Sequence, residues 1–160
     1  MQLQLHLFKE NFKFSSAHFL IFNETQAEKL HGHNYQVYLD IEVPKGGNHL
    51  AAGFFIDFAE LKQDVKKIVD EWDERVLLPR HPEMKYEQEG PTLKVHFRDR
   101  YYAFPREEVV ILDVTNTSVE NLSILVAQKL AHVWKPKGLS KIQVRVEETR
   151  GQSASCRLDF

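Results

Sequence analysis

From Tyr35 to Val43 every second residue is apolar: Tyr35, Val37, Leu39, Ile41 and Val43 alternate with Gln36, Tyr38, Asp40 and Glu42. Successive side chains on a strand project to opposite faces. This pattern therefore predicts an antiparallel strand over Asn34 to Val43 with one face in a core and the other in water. Ile142 to Glu148 alternates again, with Ile142, Val144 and Val146 on one side. Gln2 to Phe19 has period-two stretches, and Phe12, Phe14, Ser16 and His18 share a parity. Two other segments carry a helical period. Phe58, Leu61, Val65, Ile68, Val69 and Trp72 form one apolar stripe on a helix opened by Asp57, with Glu60 at capping-box spacing. Leu122, Leu125, Val126, Leu130 and Val133 do the same on a helix from Thr117 to Trp134. There Thr117 and Glu120 make the box, and Pro136 and Gly138 end the helix.

Ile21 to Lys29 is polar and reads as a loop, and Pro44 to Gly53, with Gly46-Gly47 inside it, as a turn or loop. Glu74 to Gly90, broken by Pro79 and Pro82, reads as a long loop. Leu93 to Arg98 and Val109 to Leu112 read as strands around Arg100 to Arg106. The order strands, helix, strands, helix, strands predicts an α+β fold with both helices on one face of an antiparallel sheet. Without repeats or linkers, residues 1–160 are expected to form one domain.

Composition narrows the function. A net charge of −2 and no long basic block argue against a nucleic-acid reader. No apolar run approaches the roughly 20 residues of a membrane helix. Met1 to Glu10 alternates instead of forming a signal-peptide core, so the protein reads as cytoplasmic. Cys156 is the single cysteine, which excludes an internal disulfide; in Ser155-Cys156-Arg157-Leu158 it reads as a small side chain on a terminal strand.

The candidate chemistry lies in the histidines. His31-Gly32-His33 opens the alternating strand, and positions two apart share a face, so both imidazoles can reach one point. Gly32 between them allows another backbone or a ligand to come close. If the strand ending at His18 pairs with it, a third imidazole joins. Three histidines on a zinc ion leave a fourth position open, the pattern of catalytic sites. A bare His-x-His pair is a weak signal and fits hydrogen-bonded surface residues equally, as expected for His6, His49, His81, His96 and His132.

Ser16-Ala17-His18-Phe19 and Leu30-His31-Gly32-His33-Asn34-Tyr35 together resemble the 6-pyruvoyltetrahydropterin synthase family, which includes the 6-carboxytetrahydropterin synthases of queuosine biosynthesis. Phe55 to Lys62 resembles the family segment that opens the first helix, and Asn116 to Asn121 the one that opens the second. Val146-Glu147-Glu148-Thr149 resembles the last-strand motif. The resemblance spans nearly the whole chain. It implies a tunnelling fold (T-fold), a four-stranded antiparallel sheet with two helices, assembled through trimers into a homohexameric barrel. It further implies Zn2+ on His18, His31 and His33, and a pterin held at its aminopyrimidine edge by Glu148, where a carboxylate accepts two parallel N–H bonds. Backbone groups near Thr117 and Ser118, at a helix N-terminus, would complete the pocket. On the residues alone, Glu148 reads as a surface strand residue.

Two departures matter. The family's main branches carry a cysteine that acts as general base a few residues before the His-Gly-His motif; here that stretch is Gln26-Ala27-Glu28-Lys29. Glu28 resembles a sub-branch, known from malaria parasites and some bacteria, in which glutamate replaces the cysteine. That sub-branch is associated with cleaving the side chain of 7,8-dihydroneopterin to give 6-hydroxymethyl-7,8-dihydropterin, a folate precursor. A carboxylate beside a partly dehydrated site can move protons. The family also has an Asp-His relay pair after the first helix. Asp73 matches it, but Glu74 stands where histidine is expected, with His81 as a candidate substitute from the loop. The expectation is a zinc-dependent pterin lyase acting on 7,8-dihydroneopterin or its triphosphate, with Glu28 and Asp73 as catalytic residues. The alternatives are a 6-carboxy- or 6-pyruvoyltetrahydropterin synthase, or a pterin binder without turnover.

Overall fold

The computed structural model describes residues 3–44 and 53–160; the Gly46-Gly47 turn and His49 lie outside them. The strands are β1 Gln4–Leu7, β2 Lys13–His18, β3 His31–Glu42, β4 Arg75–Pro79, β5 Met84–Glu89, β6 Thr92–Phe97, β7 Arg100–Pro105, β8 Val109–Leu112, β9 Lys141–Thr149 and β10 Gln152–Asp159. The helices are α1 Phe58–Trp72 and α2 Val119–Trp134.

The large sheet runs β10-β9-β3-β2-β4-β8, with β1 also on β3. β3 is long enough to take two partners along one edge: β2 faces its first half, from His18↔His31 to Lys13↔Gln36, and β1 its second, from Leu7↔Leu39 to Gln4↔Glu42. β1 and β2 thus act as one interrupted strand. With β3, β9 and β10 they make the antiparallel four-stranded sheet that the resemblance implies. The strand count is nevertheless larger. β4 and β8 extend this sheet through parallel pairings, and β5, β6 and β7 form a second, antiparallel sheet. Glu74 to Gly90 is therefore not a long loop. Val76-Leu77-Leu78 is a short apolar run without alternation, as befits a strand covered on both faces. β5 (Met-Lys-Tyr-Glu-Gln-Glu) is mostly polar because it lies at the edge of the small sheet.

The alternating residues Tyr35, Val37, Leu39, Ile41 and Val43 are all buried, as are Ile142, Val144 and Val146, and this face meets the helices. α1 presents Leu61, Val65, Ile68, Val69 and Trp72 to it; Phe58, expected on that stripe, is 42% exposed. On α2 the buried set is Leu122, Ser123, Val126, Ala127, Leu130, Ala131 and Trp134, while Val133 is 39% exposed. Asp57 caps α1 by accepting from the Ala59 amide at 2.7 Å, but Glu60 pairs with Lys137 instead of closing a box. α2 is capped by Ser118, which accepts from the Asn121 amide, and not by Thr117. Thr117 is fully buried one residue before the cap. A second apolar cluster, including Phe19, Ile21, Met84, Val95 and Phe97, joins the small sheet to the end of β2. No described helix is long and apolar enough to cross a membrane.

Candidate metal centre

His18 and His31 face each other across the β2–β3 ladder, Ala17 is opposite Gly32, and Ser16 is opposite His33. The ladder therefore sets three imidazoles side by side. Ring centroids lie 4.9 Å apart for His18–His31, 4.7 Å for His31–His33 and 5.3 Å for His18–His33. Gly32 makes the spacing possible: a Cβ there would stand 3.3 Å from the Ser16 carbonyl oxygen. Glu148 enters from β9. It shares a parity with Ile142, Val144 and Val146, so it continues their buried face just where that face reaches the histidines.

The second ring nitrogens settle the first. His18 Nδ1 donates to the Thr117 carbonyl at 2.9 Å and His31 Nδ1 to the Lys29 carbonyl at 2.8 Å. A carbonyl can only accept, so both Nδ1 atoms carry the proton and both Nε2 atoms present lone pairs when the rings are neutral. His33 Nδ1 lies 3.4 Å from the Thr149 hydroxyl, again leaving Nε2 inward. Burial holds His18 below the ordinary imidazole pKa, partly offset by the Thr117 carbonyl and the Glu148 charge. The neutral ring, the form that ligates a metal, is thus favoured. Glu148 Oε1 stands 3.2 Å from His18 Nε2 and 3.1 Å from His33 Nε2, and one ligand atom from each of His18, His31, His33 and Glu148 lies within 4.8 Å of the others. His18 Nε2 is buried without a hydrogen-bond partner. Several lone pairs converging on one small volume repel unless a cation or protons lie between them. The donor set of three imidazoles and a carboxylate therefore fits a metal ion.

Glu28 is near. Its Oε2 accepts from the Leu20 amide at 3.0 Å and lies 3.8 Å from His31 Nε2. Asp73 is elsewhere: it ends α1 and its Oδ1 accepts from the Ser15 amide at 2.7 Å. The adjacent Glu74 instead lines a cavity of about 700 Å3, together with Gly32, His33, Arg75, Glu148 and Thr149. His81 accepts from the Glu83 amide in the β4–β5 turn. Thr117 contributes its carbonyl to His18, and the Ser118 hydroxyl is engaged in capping α2. In the sequence Thr149 figures only as the end of the Val146 to Thr149 motif, and Glu74 only as the departure from an expected histidine; neither is assigned a role in the site there. Glu74 sits at a position where a backbone φ of 56° redirects the chain.

The profile of the family described as 6-pyruvoyl tetrahydropterin synthase matches residues 7–159. A Methanocaldococcus jannaschii protein, provisionally named a 6-carboxy-5,6,7,8-tetrahydropterin synthase, is 33% identical over 161 residues, covering 98% of this chain and 96% of the relative. The 6-pyruvoyl tetrahydropterin synthase of Plasmodium falciparum superposes with a TM-score of 0.87 at 26% identity, over 99% of each chain. A Plasmodium vivax 6-pyruvoyltetrahydropterin synthase, described as a catalytic-residue mutant with glutamate changed to alanine, gives 0.87 at 25% identity, over 100% of this chain and 99% of that one. With the family profile matched over residues 7–159, a relative 33% identical over nearly the whole chain, and backbones that superpose at a TM-score of 0.87, the chain belongs to the 6-pyruvoyltetrahydropterin synthase family and has its tunnelling fold.

Proposed function

We propose that the chain, acting as one domain within a homohexamer built as a dimer of trimers, is a zinc-dependent lyase. It would shorten the side chain of 7,8-dihydroneopterin, or of its triphosphate, to give 6-hydroxymethyl-7,8-dihydropterin. The observation that carries this reading is Glu28, whose carboxylate stands 3.8 Å from His31 Nε2 in a loop without cysteine. The Plasmodium vivax relative, described with a glutamate as its catalytic residue, supports it.

His18, His31 and His33 would hold the zinc, which when bound would polarise the side-chain oxygens and ease their deprotonation. Glu28 would take the proton from the hydroxyl on the second side-chain carbon. As the bond between the first and second carbons breaks, that second carbon leaves in an aldehyde. The electron pair is delocalised into the dihydropterin ring, and a proton returned to the first carbon completes the hydroxymethyl group. Glu148 lines the cavity beside the histidines and is placed to hold the aminopyrimidine edge of the ring, so that the side chain faces Glu28. Thr117 would act through its carbonyl, keeping His18 in one tautomer, and Ser118 by capping α2 beside it. Asp73 would act through the ladder, tying the end of α1 to β2.

A second reading, a 6-carboxytetrahydropterin synthase, is favoured by the name of the Methanocaldococcus jannaschii relative. Anaerobic incubation of zinc-loaded protein with 7,8-dihydroneopterin, then with its triphosphate, separates the two by product mass. A 6-hydroxymethyl product is expected, and a 6-carboxy product would move the assignment to the second reading. Glu28→Gln should abolish turnover while sparing the metal; normal activity in that variant would remove Glu28 from the mechanism.

A further inference from the structure

Glu28 lies on the irregular segment between β2 and β3, and that segment is gripped from outside. Internally it is closed by a Phe22 amide to Gln26 carbonyl bond, a Glu28 amide to Leu20 carbonyl bond and an isolated bridge between Ile21 and Ala27. From the small sheet, Arg100 at the start of β7 donates Nη1 to the Glu28 carbonyl and Nη2 to the Ala27 carbonyl, the latter at 3.1 Å. Its guanidinium carbon lies 5.8 Å from the Phe19 ring centroid and 5.7 Å from that of Phe97, which restricts the side chain to this pose. Arg98 donates Nη2 to the Asn23 carbonyl at 2.6 Å and is itself aligned by Glu83, at 2.7 and 2.8 Å.

Arg98 occupies the two-residue turn between β6 and β7 with φ at 55°. Glycine fills such a position without strain, but it has no side chain to reach Asn23. The turn holds a strained residue whose side chain grips the Glu28 segment. We infer that the β5–β7 sheet is a clamp on the segment 21–30, and that Arg100, helped by Arg98, is a positioning residue that sets the reach of Glu28 toward the histidine cluster. Its kinetic consequence rests on the role proposed for Glu28; the clamp itself does not.

Amide exchange by mass spectrometry and turnover of 7,8-dihydroneopterin should be measured on the zinc-loaded 160-residue chain and its Arg100→Gln, Arg100→Lys and Arg98→Gly variants. Arg98→Gly relieves the turn, so it guards against a fold lost through Arg100. The clamp predicts faster exchange confined to 21–30, unchanged zinc content, and a kcat lowered by about tenfold to a hundredfold with KM within about twofold. Arg100→Lys, which can satisfy one carbonyl, should recover part of the rate. Wild-type exchange over 21–30 in both Arg100→Gln and Arg98→Gly overturns the clamp. Faster exchange with unchanged kcat, while Glu28→Gln is inactive, overturns the positioning role. If Glu28→Gln is itself fully active, the proposed reaction role fails, and the exchange comparison still decides on the clamp.

Discussion

Each histidine of the cluster commits one nitrogen to the protein and keeps the other for the centre, and this division has measurable consequences. With the Nδ1 atoms of His18 and His31 held by main-chain carbonyls, their Nε2 lone pairs turn inward, and the Nε2 atoms of His18 and His33 meet the Glu148 carboxylate at 3.2 and 3.1 Å, an arrangement that a cation relieves. An ion that binds the folded state alone raises stability by about 4 kcal/mol when its concentration is about a thousandfold above Kd. Chelation should therefore lower the melting temperature of the wild type. His31→Ala should show little further change with chelator, and Glu28→Gln should respond like the wild type. A chelator without effect on the wild type would show that protons, not a metal, hold the cluster together. Tyr35 makes the opposite case. It stacks on Phe14 with centroids 4.7 Å apart, and its hydroxyl is buried without a partner. Burial, reinforced by Glu148 and Glu28, pushes its phenol far above the usual range, so it stays neutral. Tyr35→Phe should change stability by no more than about 1 kcal/mol, because an unpaired hydroxyl returns nothing for its desolvation. A larger loss in the denaturant midpoint would reveal a bound water or ligand on that oxygen.

At the level of the elements, the β2–β3 ladder does most of the work of assembling the site, and Gly32 is its tightest point. A Cβ 3.3 Å from the Ser16 carbonyl would force the two strands apart by a few tenths of an ångström at the position that sets the spacing of His31 and His33. Gly32→Ala should cost about 1–3 kcal/mol of stability as an overpacking change and weaken metal binding more than a surface substitution does. Unchanged metal affinity would mean that the ladder absorbs the methyl by local bending. The ladder was legible in the sequence because both strands alternate and because Tyr35 and Phe14 fall on the same faces as the histidines. Parity with Val146 puts Glu148 on the buried face of its strand, but only the β3–β9 pairing brings it beside the histidines. β4 was not legible, since Val76-Leu77-Leu78 has no period and sits after a polar stretch. β5 was not, because Lys85, Glu87 and Glu89 point to water. Arg98 and Arg100 meet partners 75 and 72 residues away, and contacts at such separations leave no local pattern.

For the molecule as a whole, the open question is what becomes of the sheet's edges. The large sheet ends at β8 on one side and β10 on the other, and neither has a further partner among the described residues. Exposed strand edges are templates for pairing with another chain, and exposed Phe8, Phe22 and Phe54 add apolar surface that a lone 18.7 kDa chain gains nothing by showing to water. In the proposed hexamer, main-chain bonds between copies would satisfy those edges, and the side of the cavity that this chain leaves open would face a neighbour. Two measurements follow from that geometry. Light scattering at micromolar concentration should give about six times the chain mass, with a trimer as the species met on dilution. The outward amides of β8 and β10 should exchange slowly in the hexamer and quickly once dilution separates the copies, while the amides of β3, paired on both sides within the chain, should not respond. A monomer with rapidly exchanging edges would remove the hexamer. The three histidines, Glu148 and Glu28 all come from one chain, so their geometry would be untouched, but the chain would have to exclude water from the cavity by itself.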